Sequence, residues 1–68
     1  MIYMAIPIAL VKRMIKDTGA ARVSDDAAAA LADAMEEYAE NVSIDAIKVA
    51  KHAGRKTVTD ADIKLVVQ

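Results

Sequence analysis

Between Ser24 and Gly54 the chain contains neither proline nor glycine, and most of its large apolar residues fall on one line. Leu31, Met35, Tyr38, Val42, Ala46, Val49 and Ala53 follow one another in steps of three and four. That spacing keeps side chains on one face of an α-helix. The stretch predicts a single helix of about 28 residues, roughly 43 Å long at 1.5 Å per residue. A rod of this kind cannot fold back on itself. Whatever covers its apolar face must come from the short remainder of the chain or from another molecule.

The flanks predict two shorter helices. Pro7 suits the first helical position, where its missing N–H costs nothing. Ile8, Val11, Met14 and Ile15 recur at helical spacing behind it, while Lys12, Arg13 and Lys16 share an arc on the other side. Thr18 and Gly19 end this helix, and Ala20 to Val23 form a short connector. Ser24 caps the long helix, with Asp25 and Asp26 in the first turn, where the helix dipole favours negative charge. At the other end Gly54 supplies the backbone freedom that helix C-termini favour, and Arg55 and Lys56 place cations at the negative end of the dipole. Thr59 followed by Asp62 fits a capping box that opens a third helix, from about Asp60 to the chain end, carrying Ile63, Val66 and Val67. A basic loop held between two rigid helices suits contact with a phosphate backbone.

Two helices of two to three turns cannot cover a stripe of this length, and a chain of 68 residues has difficulty building a sufficient core alone. With no cysteine there is no disulfide, and one histidine among scattered carboxylates makes no metal site. Oligomerisation is left as the stabiliser, so the chain is expected to be an obligate dimer. Leu31, Met35, Tyr38, Val42 and Ala46 form its expected core. Ile44 lies almost across the helix from that line, among Glu37, Glu40, Lys48 and Lys51. Either the short helices pack over this side and bury the long helix on two faces, or Ile44 belongs to an exposed contact patch.

Net charge is −1, which by itself argues against nucleic acid. The distribution says more. Lys12, Arg13, Lys16 and Arg22 lie in the first third and Lys48, Lys51, Arg55 and Lys56 near the second loop, with Asp33, Glu36, Glu37, Glu40 and Asp45 between them. Segregated charge permits a basic face. The apolar run from Met1 to Val11 lacks a basic leader, is interrupted by Pro7 and is too short for a bilayer, so neither membrane nor export is expected. No nucleophile–base arrangement or phosphate-cradling glycine loop is present. The reading is therefore not an enzyme, with no cofactor, metal or small-molecule substrate. Residues 1–6 are read as an N-terminal extension, with Met4 an alternative start, and 7–68 as one domain.

Short helix, loop, long helix, loop, short helix is the histone fold, an all-α architecture. The motifs Pro7-Ile8-Ala9, Ile15-Lys16-Asp17, Gly19-Ala20, Arg22-Val23-Ser24-Asp25-Asp26-Ala27, Ala46-Ile47-Lys48 and His52-Ala53-Gly54-Arg55-Lys56-Thr57 strongly resemble archaeal histones, over residues 7–67. The resemblance implies an intertwined handshake dimer, joined to further dimers through a four-helix bundle into tetramers or larger arrays. It also implies binding and wrapping of double-stranded DNA on a chromosome in the cytoplasm. By position, Arg22 would enter the minor groove, Lys56 and Thr57 would contact phosphate beside the partner's first loop, and Arg13 and Lys16 would bind phosphate near the dyad. Such contacts are sequence-independent. Arg55 and Asp62 would pair within one chain to fix the second loop, a role that coexists with Asp62 capping Thr59. His52 would reach Asp62 of a neighbouring dimer, with Val49 and Leu65 packing around that junction.

Departures from the family pattern bear on strength. Where many relatives carry bases early in the long helix this chain has Ala28 and Ala30, and acidic or hydroxyl residues stand at Glu40, Thr59 and Asp60. Weaker DNA binding than the family norm is expected. The alternative function is a histone-fold heterodimerisation or capping module that modulates arrays of other histones. An Asp33–Lys64 pair between stacked dimers is a further expectation.

Overall fold

The computed structural model describes residues 6–68, which form three helices: α1 (Ile8–Asp17), α2 (Asp25–His52) and α3 (Asp60–Val67). Among the described residues there is no strand. Most of the expected N-terminal extension, Met4 included, lies outside the described residues. No described helix is long and apolar enough to cross a membrane.

Each boundary has a local cause. Ser24 Oγ accepts a hydrogen bond from the Ala27 N–H at 3.0 Å, satisfying one of the orphan donors at the start of α2. At its end Gly54 adopts φ +77°. The Gly54 N–H then donates to Lys51 O and the Arg55 N–H to Ala50 O, both at 2.9 Å. These two bonds make a Schellman motif, which needs a left-handed residue where glycine stands. Helix α1 ends with Thr18 Oγ1 donating to Ile15 O at 2.7 Å and the Gly19 N–H donating to Lys16 O at 2.9 Å. Pro7 is placed one step earlier than expected. Its ψ of 124° is extended, so it caps α1 instead of occupying the first helical position. Its carbonyl still accepts from the Val11 N–H at 3.2 Å.

The chain divides into two compact units, one ending at Glu36 and the other running from Glu37 to Gln68. In the first, Val11 of α1 is fully buried with Ala28 and Ala32 of α2, and Ile6, Ile15, Val23, Leu31 and Met35 pack around them. Complete burial of a side chain such as Val11 contributes about 1.5 kcal/mol or more. In the second, the buried apolar residues are Ala46 and Ala50 of α2.

The buried residues of α2 are thus alanines: Ala46 belongs to the predicted apolar line, while Ala32 and Ala50 stand part of a turn to one side of it. Small side chains let a neighbouring backbone approach closely, so the short helices need no large apolar residues on α2 to pack. Two expectations change as a result. Ile44 is not covered by the short helices; it is 52% exposed. Ala28, read from the sequence as a surface position that lacks a base, is a core position in this chain, packed with Val11 and Ala32.

Candidate nucleic acid interface

The second loop is fixed from both sides. Arg55 presents its guanidinium edge to Asp62, with Nη1 donating to Oδ2 at 2.8 Å and Nη2 donating to Oδ1 at 2.7 Å. The same Nη1 also donates to Thr57 O at 3.2 Å. Asp62 Oδ2 accepts a further bond from the Thr59 N–H at 2.9 Å, the acidic half of the capping box that starts α3. Asp62 is 3% exposed, and the Arg55 hydrogen bonds, followed by the Thr59 backbone, hold its carboxyl well below the usual carboxylate range against the cost of burial. The same hydrogen bond raises the Arg55 pKa further.

One cation of the loop is therefore committed to structure, and its neighbour is not. Lys56 and Thr57 are exposed on a backbone whose shape Arg55 dictates. Behind them a shallow groove of about 200 Å³ is lined by Ile47, Ala50, Lys51, Arg55, Lys56 and Val58.

In the first unit, Arg13, Lys16 and Arg22 are exposed. Among the described residues none of these three, nor Lys56, takes part in an ion pair. Lys12 does. Its Nζ lies 2.6 Å from Asp25 Oδ1, at the start of α2. That contact, a hydrogen bond first and a charge attraction second, lowers the Asp25 pKa. The link ties α1 to the N-terminus of α2 and removes Lys12 from the basic arc it shares with Arg13 and Lys16. Local sequence spacing carries no sign of it, because it joins residues across a loop.

Residues 4–67 match the family described as histone-like transcription factor (CBF/NF-Y) and archaeal histone. The chain belongs to this histone family. It is 52% identical over 63 residues to a subunit of the archaeal histone HAN1 from Thermococcus zilligii, covering 93% of this chain and 94% of that protein. It is 40% identical over 63 residues to probable archaeal histone 3 of Methanocaldococcus jannaschii, with the same coverage of each chain. The three helices are those of the histone fold. Archaeal histones are DNA-binding chromatin proteins with a structural task rather than an enzymatic one.

The remaining expected site residues of this histone divide by burial. Along the line read as a dimer core, Leu31, Met35 and Val42 are half-buried, Ala46 is buried, and Tyr38 is 61% exposed. Of the residues read as a dimer–dimer junction, Val49 is half-buried, His52 is exposed and Leu65 is 54% exposed. Asp62 is the member of that set whose oxygens are both already engaged. Lys64 stands 3.6 Å from Asp60 on its own helix. Among the described residues no group of His, Cys, Asp or Glu is arranged to hold a metal ion.

Proposed function

We propose that this histone binds and compacts duplex DNA as a homodimer, through phosphate and minor-groove contacts without sequence preference. The observation that carries the reading is the second loop. Arg55 is spent on Asp62 and on Thr57 O, and this fixes a backbone from which Lys56 and Thr57 face solvent. A preorganised loop loses little freedom when it meets phosphate. Arg22 in the first loop supplies the minor-groove cation, and Arg13 and Lys16 on α1 supply phosphate contacts.

What the single chain leaves open supports the dimer. Tyr38 stands largely in solvent on a line that continues through the half-buried Val42 and Val49. A second copy laying its own α2 across that line would cover it, and the partner's first loop would then lie beside this second loop. Further assembly would use Val49, His52 and Leu65, with a neighbouring dimer's His52 taking a remaining lone pair of Asp62. The histone-fold domain is read as residues 7–68, working on the chromosome in the cytoplasm.

A gel-shift titration with random-sequence duplex at low salt tests the proposal. Retardation is expected, and its absence up to about 100 µM, the weak end of non-specific binding, overturns it.

Two observations favour a second reading, in which the chain heterodimerises with another histone or caps its arrays. The net charge is −1, and the relative from Thermococcus zilligii is named as one subunit of its histone. Light scattering on the pure chain separates the two. A stable homodimer supports the first reading, whereas aggregation relieved by a second histone supports the other.

A further inference from the structure

The outer face of α2 carries a charge pattern that DNA binding leaves unused. Within the second unit, Glu37 and Glu40 stand seven and four residues before Ile44, and Lys48 and Lys51 stand four and seven after it. At 3.6 residues per turn all four charges fall within about 40° of Ile44 around the helix, and Ile44 lies roughly 160° from the apolar line. All five side chains are exposed, as is Ile47 beside them. Among the described residues none of the four charges takes part in an ion pair.

Their own helix neutralises them little. Side chains three and four apart are neighbours on a helix surface, and here Glu37 sits beside Glu40 and Lys48 beside Lys51. Asp45, three residues before Lys48, is the one opposite charge in reach, and among the described residues it forms no ion pair with Lys48. The helix dipole does not explain the acids either. Its influence falls off within the first turn, and Glu37 lies about three turns past Asp25. The acids and bases are arranged for a partner off the helix, and the arrangement is symmetric about Ile44.

We propose that a second copy of this histone docks here, α2 against α2 and antiparallel, about a two-fold axis at Ile44. Glu37 and Glu40 of one copy then come level with Lys51 and Lys48 of the other, forming an acid–base quartet at each end of the contact. Ile44 meets Ile44 at the centre, with Ile47 beside it. The surface is self-complementary, as a closed two-fold interface requires. A parallel pairing would set glutamates against glutamates. The contact spans about 21 Å of helix, too little for a stable interface of roughly 1,000 Å² or more. It is therefore weak in dilute solution and gains strength where copies are held close together, as on one DNA molecule. Because it lies away from the apolar line, it joins dimers that have already formed.

The chain has no cysteine, so Ile44→Cys places a unique thiol on the axis. Mild oxidation without DNA should give disulfide-linked pairs, since a disulfide needs the two Cα atoms within about 7 Å. Adding Glu37→Lys with Glu40→Lys, or Lys48→Glu with Lys51→Glu, should each lower the yield roughly ten-fold, the scale of several surface ion pairs acting together. Mixing the two oppositely charged variants should restore it. Failure of Ile44→Cys to link, equal linking in the single-sign variants, or no recovery on mixing overturns the proposal. Should a charge variant not fold by circular dichroism, the same decision comes from Ile44→Cys alone, whose yield must fall as salt rises to about 1 M. Light scattering of the reduced protein reports the handshake dimer separately. Loss of that dimer counts against the proposed function, and its persistence without cross-linking counts against this contact.

Discussion

Arg55 and Asp62, seven residues apart in sequence, meet edge to edge through two nearly parallel hydrogen bonds of 2.8 and 2.7 Å. Only a planar guanidinium matches a carboxylate in this way, so charge alone does not replace Arg55. Arg55→Lys is expected to lower the melting temperature although it conserves charge. Arg55→Met should lower it further, because it leaves a buried carboxylate without its main partner. Thermal melts by circular dichroism at neutral pH decide. An unchanged melting temperature for Arg55→Met contradicts the role assigned to the pair.

The same pair gives acid sensitivity a definite sign. Asp62 has a carboxyl pKa depressed below its ordinary 3.8, so the folded state binds its proton less readily than the unfolded state. Stability from this group is complete above the unfolded value and declines as pH falls through the folded one. Asp62→Asn should therefore lower the melting temperature at neutral pH, and the gap between the two proteins should close below pH about 3.8. Paired melts from neutral to acid pH test this. A gap that stays constant into strong acid refutes it.

Two nearby alanine positions should behave oppositely. Ala28 is fully buried against Val11, whereas Ala30 is exposed. Ala28→Arg is expected to cost about 3 kcal/mol or more, through overpacking and an unpaired charge in the core. Ala30→Arg should leave stability within about 0.5 kcal/mol. Val11→Ala should cost about 2 kcal/mol, from lost transfer energy plus a residual cavity. Urea unfolding measures all three.

DNA affinity should track the free cations and not the total. Lys56→Ala and Arg13→Ala should each reduce the slope of log affinity against log salt by about 0.9, equally on all duplex sequences. Lys12→Ala should change the slope much less, since Asp25 already holds its ammonium. Fluorescence anisotropy across a salt series makes the comparison. A Lys12→Ala effect as large as that of Lys56→Ala would show that the ion pair opens on DNA.

The helices were legible in the sequence because their signals are local. Ser24, Gly54, and Thr59 with Asp62 mark boundaries by satisfying backbone groups within a few residues. The Arg55–Asp62 pair followed from the resemblance to archaeal histones, since residues that far apart share no local pattern. Two features stayed out of reach. Beyond Ala46, which was read as core, the packing face of α2 rests on Ala28, Ala32 and Ala50, and alanine contributes too little hydrophobicity to stand out beside Leu31 or Met35. The Lys12–Asp25 link forms across a loop, where only the folded geometry brings an ammonium and a carboxylate together. Pro7 shows the usual margin at a helix start, because a proline serves either as cap or as first residue.

The closure of the second loop sets a limit on how it can be moved between proteins. Its shape is held by a bond reaching back to Ala50 O and by one reaching forward to Asp62, inside the next helix. The exposed residues Lys56 and Thr57 do not contain the information for their own conformation. Transplanted alone into another helical hairpin, they would carry the charge without the shape. The portable unit runs from Ala50 to Asp62.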